Sequence, residues 1–228
     1  MREVSETDLS RMREIWEEFG AHYDRLHAFY HDAVAGFVWF REKVTSDQEL
    51  ERARYGGAEF DTDEFWNGKR LAYDRIFGQD FIASGLHVGT VGEARVRNEP
   101  DGHNFVTLAN LCIIAFYDFW NDYLRREYCK AKGYHDATDE EMRAHASFDL
   151  WGDIRHLRHS IVHNQGIAIQ EVSGCKLIKW FQPGDSILLS PERMRTLFHA
   201  LYLFRNNLHA ESLQKTVIKA LGRPVRVL

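Results

Sequence analysis

Residues 153–166, Asp-Ile-Arg-His-Leu-Arg-His-Ser-Ile-Val-His-Asn-Gln-Gly, crowd Arg155, Arg158, His156, His159 and His163 into one short stretch. Arginine stays charged and offers a planar fork of donors, which suits a phosphate and the extra negative charge of a phosphorane. Imidazole moves protons near neutral pH. Side by side, the two groups have the chemistry of phosphoryl transfer. Gly166 is placed as a helix C-cap, which puts His163 in the last turn, where the negative end of the helix dipole favours a cation.

On a helical wheel Leu150, Ile154, Leu157 and Ile161 share a core face and Arg158 flanks it. Arg155, His156, His159 and His163 turn away from that face, toward solvent or an interface. Arg158 and His163 are spaced i, i+5, a rotation of roughly 140°. That spacing predicts that one helix does not aim both groups at one atom without a long arginine reach, whereas two copies related by a dyad could pool them. A plainer arrangement uses the same residues: Arg158 pairs with Asp118 or Asp122, and the histidines form a solvated face. Histidines one turn apart (His159 and His163, or His27 and His31) suit a metal. No acidic or cysteine ligand accompanies them and arginines repel a cation, so no metal and no cofactor is expected.

The elements that must position this stretch read as helices. Trp16, Phe19, Tyr23, Leu26, Tyr30, Val34 and Phe37 recur at helical spacing after Ser5, which resembles a capping box with Asp8. Thr62-Asp-Glu starts a second helix through Phe65, Leu71 and Ile76, and residues 78–103 read as a connecting loop or short hairpin. Thr107 opens a helix from Leu108 to about Lys132, ended by Gly133, with Leu108, Leu111, Cys112, Ala115 and Phe119 as its buried stripe. Asp122 falls within that stripe and Asp118 at its edge, and carboxylates there need partners. Thr138 caps the helix that carries the basic stretch. Short alternating runs predict a small antiparallel β-hairpin or meander near residues 167–189. Ser190-Pro191 starts a last helix with Met194, Leu197, Leu201, Phe204 and Leu208 on one face.

The 228 residues, 44% hydrophobic and 28% charged, suffice for one core, and a single domain 1–228 is expected. A net charge of -5 argues against coating nucleic acid through a global field and leaves room for a local basic face. Three scattered cysteines, Cys112, Cys129 and Cys175, suggest neither a disulfide framework nor a zinc site, and fit a reducing cytoplasm. The N-terminus lacks the apolar run of a signal peptide, and no membrane span is expected.

Arg158-His159-Ser-Ile-Val-His163 resembles the Arg, polar residue, three variable residues, His signature of the HEPN superfamily (higher eukaryotes and prokaryotes nucleotide-binding domain). Asp153 before it, the Ile-Val-His-Asn164-x-Gly ending and an earlier helix carrying Asp118 and Asp122 extend the likeness over residues 105–210. The resemblance implies a mainly α fold, an antiparallel helical bundle that the N-terminal helices 5–77 extend, and a homodimer whose two motifs face one cleft. It also implies metal-independent cleavage of RNA in toxin-antitoxin, abortive-infection or anti-phage systems: the 2′-OH attacks the adjacent phosphate and leaves a 2′,3′-cyclic phosphate. Arg158 would hold that phosphate and His163 would move the proton, with His159, Asp153, Asp118, Asp122 and Asn164 in support. RNA, a second copy and an antitoxin or other defence protein are the implied partners. HEPN toxins regulated by adenylylation carry tyrosine two residues after the histidine; Gln165 stands there, so that regulation is not expected. The alternative is a non-catalytic module of the same fold that binds RNA, a nucleotide or a protein through this face.

Overall fold

The computed structural model describes residues 6–55, 57, 61–71 and 89–206; Ser5, Ile76 and Leu208 lie outside them. It is mainly helical. Among the described residues the helices are α1 (Glu6–Tyr55), α2 (Asp63–Gly68), α3 (Val91–Arg97), α4 (His103–Asp118), α5 (Arg125–Ala131), α6 (Asp139–His145), α7 (Asp149–His163) and α8 (Pro191–Asn206). A π-helical segment, Phe119–Leu124, joins α4 to α5, and a 3-10 turn covers Gln170–Gly174. No described helix is long and apolar enough to cross a membrane. The chain divides into two compact units, one from Met1–Tyr30 and Leu108–Leu228, the other from His31–Thr107.

In the first unit the apolar faces close around aromatic rings. Phe204 of α8 meets Phe19 of α1, Trp120, Phe148 and Trp151 of α7 edge-on, at centroid distances of 5.2 to 6.0 Å. Trp120 stacks flat on Trp151 at 4.9 Å. Such pairs add roughly 0.5–1.5 kcal/mol each to the burial of their area. The α1 aromatic stripe is therefore core here, with Phe19, Tyr23 and Tyr30 buried and Trp16 and Leu26 partly so; Val34 and Phe37, half-buried, belong to the second unit. Pro191 opens α8, whose Met194, Leu197, Leu201 and Phe204 are all buried.

The structure revises several local expectations. The helix expected from Leu108 starts earlier, at His103, and its buried face is Phe105, Leu108, Ala109, Cys112, Ile113, Phe116 and Trp120, while Leu111 is 54% exposed. The π turn adds a residue to the winding and re-aims the side chains beyond it, so Leu124 and Arg125 are buried and Asp122 is exposed. The helix capped by Thr138 ends at His145; Ala146–Phe148 break it before α7 begins.

Residues 167–189 depart from the expected hairpin or meander. Among the described residues they form no strand beyond a single antiparallel bridge, Ile167 to Ser186. Ala168 N donates to Asp185 O and Gly184 N to Ala168 O, after which the backbone is diverted. The 3-10 turn takes Gln170–Gly174, and the amides of Lys176, Leu177 and Ile178 donate to Asp153 at 2.6 to 2.9 Å instead of to a neighbouring strand.

In the second unit α1 runs on to Tyr55 and packs with short capped helices. Thr62 caps α2 by accepting from Phe65 N. Within the stretch read as a loop or hairpin, α3 is a helix closed by a full capping box: Thr90 Oγ1 accepts from Glu93 N, and Glu93 from Thr90 N. Trp66 is buried beneath Lys69, whose Nζ sits 3.9 Å from the ring centre.

Candidate functional site

The basic stretch occupies the second half of α7, and the amphipathic pattern decides its orientation. Leu150, Ile154 and Leu157 are buried, Ile161 is half-buried, and Arg155, His159 and His163 are exposed. The helix ends as Gly166 N donates to Ser160 O at 3.0 Å, with Gln165 (φ 52°) and Gly166 (φ 77°) both left-handed. Ser160 is buried; its hydroxyl donates to His156 O and accepts from Ile169 N, tying the helix end to the next segment of chain.

Arg158 and His163 meet within one chain. Arg158 Nη1 lies 3.2 Å from His163 Nε2. Arginine has no acceptor, so this is a hydrogen bond in the tautomer that leaves Nε2 with its lone pair free. The rotation of roughly 140° separates the Cβ directions, and the long reach of the arginine spans the difference within one helix. His159 stands beside His163 at a ring-centroid distance of 4.8 Å.

Asp118, at the C-terminal end of α4, faces Arg158 with Oδ1 3.4 Å from Nε. The contact is between charges and is not an aligned hydrogen bond, because the buried Nε has no hydrogen-bond partner. The Tyr117 ring lies 5.9 Å from the guanidinium carbon. One face of Arg158 is thus held by α4 and its outer nitrogen is turned to His163.

The other expected residues go elsewhere. Asp122 is on the exposed side of the π turn, where it accepts from Asn121 Nδ2 at 2.6 Å, and it does not join the pair. Asp153 is buried and its oxygens are occupied by three backbone amides, so it anchors residues 176–178. Asn164 caps α7 and its Nδ2 donates to Ile167 O. His156 is half-buried, and burial, then the charge of Arg155, push its pKa down. Tyr117 was not legible as a site residue: a tyrosine on an apolar helix carries no spacing signal, and only the crossing of α4 and α7 puts it at Arg158.

No family model, no curated protein and no solved structure matches the chain.

Proposed function

We propose that the chain is a metal-independent, HEPN-type endoribonuclease of a microbial defence or toxin-antitoxin system. The Arg158–His163 contact carries this proposal, because it sets a permanent phosphate-binding cation against an imidazole nitrogen that can take a proton once a substrate phosphate replaces it as the acceptor for Arg158. His163 takes the proton of the RNA 2′-OH as O2′ attacks phosphorus. Arg158, steadied by Asp118, balances the charge that gathers on the non-bridging oxygens. The P–O5′ bond breaks, His159 returns a proton to the departing 5′-oxygen, and a 2′,3′-cyclic phosphate is left. A homodimer that sets two such pairs across one cleft belongs to the same proposal; a strictly monomeric protein in solution removes that part.

The test is cleavage of single-stranded RNA in EDTA by the wild type, Arg158→Ala and His163→Ala. The expected losses are about 10²-fold or more for each variant, the scale of a lost general base or charge clamp. A wild type that binds RNA through this face without cutting it makes the chain a binding module, and undiminished cleavage by both variants places the chemistry elsewhere.

A further inference from the structure

A second cationic site lies in the same unit. A cleft of about 220 Å³ opens between the π turn, α6 and α7, and Arg125, Arg143 and Arg155 all line it. No aspartate or glutamate is among its lining residues. None of the three arginines makes an ion pair or side-chain hydrogen bond among the described residues. For Arg143 and Arg155, which are exposed, solvent answers the charge. Arg125 is different, since it is only 9% exposed. None of its guanidinium nitrogens is both buried and unpartnered, so its stem is covered while its donors open into the cleft.

The fold spends a local irregularity on this placement. The π turn Phe119–Leu124 immediately precedes Arg125 and rotates it from the solvent side to the cleft, as it rotates Asp122 away. Ser147 and Tyr117 add hydroxyls to the lining, and Trp151 contributes to it a flat apolar wall. Tyr117 also lies against Arg158, and Arg155 is one helical turn before Arg158 on α7. The cleft therefore borders the Arg158–His163 pair.

We infer that this cleft binds a phosphoryl group held between Arg125, Arg143 and Arg155. Three guanidinium forks match the charge and the oxygen geometry of a phosphate, and the absence of a lining carboxylate excludes a cation. In the ribonuclease, on whose assignment this extension rests, the group is a neighbouring phosphate of the same RNA strand, and the cleft holds the strand in register beside His163.

The experiment titrates a fluorescent 2′-O-methyl oligoribonucleotide, which lacks the attacking hydroxyl, into wild type, Arg143→Gln and Arg155→Gln, with AMP and inorganic phosphate tested separately by thermal shift. Arg125→Lys, which keeps the charge, serves as a control for the buried position. Each Gln variant should bind the oligonucleotide about tenfold more weakly, and the slope of log affinity against log salt should flatten by about 0.7 per arginine. Arginine-dependent stabilisation by AMP or phosphate, with no binding of the oligonucleotide, keeps the phosphate site and overturns the RNA assignment. Equal behaviour of wild type and both Gln variants toward every probe overturns the site itself. Cleavage by Arg158 and His163 is scored independently of either result.

Discussion

At the residue scale the candidate site reduces to how three side chains share one arginine. Asp118 and Tyr117 fix Arg158 from α4, and His163 receives its outer nitrogen. Asp153, five residues earlier in the same motif-like run, does a different job: its carboxylate replaces a strand partner for three consecutive amides. Asp153→Ala leaves those donors without an acceptor in a buried setting and should lower unfolding free energy by on the order of 3 kcal/mol. Denaturant unfolding checks the loss, and cleavage per folded molecule should be unchanged. A large loss of activity in a variant with intact stability would put Asp153 back at the site. Arginine and histidine crowded into one helix were legible as the candidate residues, and the structure brings Arg158 and His163 together. The partners were not, because sequence spacing does not say which carboxylate a crossing helix delivers: Asp118 and Asp122 look equivalent until the π turn separates them.

At the element scale α7 and its ends do the positioning. The wheel placed Leu150, Ile154 and Leu157 inward correctly, because period and burial agree wherever a helix is regular. It failed where regularity fails, at the π turn after Asp118 and at the break between α6 and α7, neither of which leaves a periodic signature. The hairpin expected at 167–189 failed for a related reason: its alternating apolar residues do face the core, with Ala168, Val172, Ile178, Phe181, Ile187 and Leu189 buried, but their backbone bonds go to Asp153 and a 3-10 turn. The exit from α7 holds Gln165 in a left-handed conformation that a β-carbon disfavours. Gln165→Gly should raise stability by up to about 1 kcal/mol and leave the Arg158–His163 contact in place, measurable as an upward shift in Tm. A fall in Tm would show that the Gln165 side chain contributes more than its backbone costs.

At the scale of the whole molecule, burial of histidine couples folding to pH. His22 of α1 stacks on Phe119 at 4.0 Å, and its Nε2 has no hydrogen-bond partner. Burial lowers its pKa; a hydrogen bond with the Ala115 backbone works against that, and the charge of Arg25 reinforces it. His156 is shifted the same way. The folded protein thus resists protons that the unfolded chain accepts near its ordinary value of 6.5. This contribution to stability is complete above that pH and is lost as pH falls through the lowered folded values. Thermal melts should show Tm dropping as pH falls below 6.5, and His22→Phe, which keeps the stack, should flatten the drop. An unchanged pH dependence in His22→Phe would assign the effect to other groups.

The central claim is that one chain's Arg158 and His163 cut RNA by internal attack of the 2′-OH, and the ends of the products test it most directly. Purified protein incubated in EDTA with an end-labelled oligoribonucleotide should yield a 2′,3′-cyclic phosphate and a 5′-hydroxyl, with a single 2′-deoxy substitution blocking the bond on its 3′ side. Products carrying a 3′-hydroxyl and a 5′-phosphate, or cleavage that survives the 2′-deoxy substitution, would contradict it.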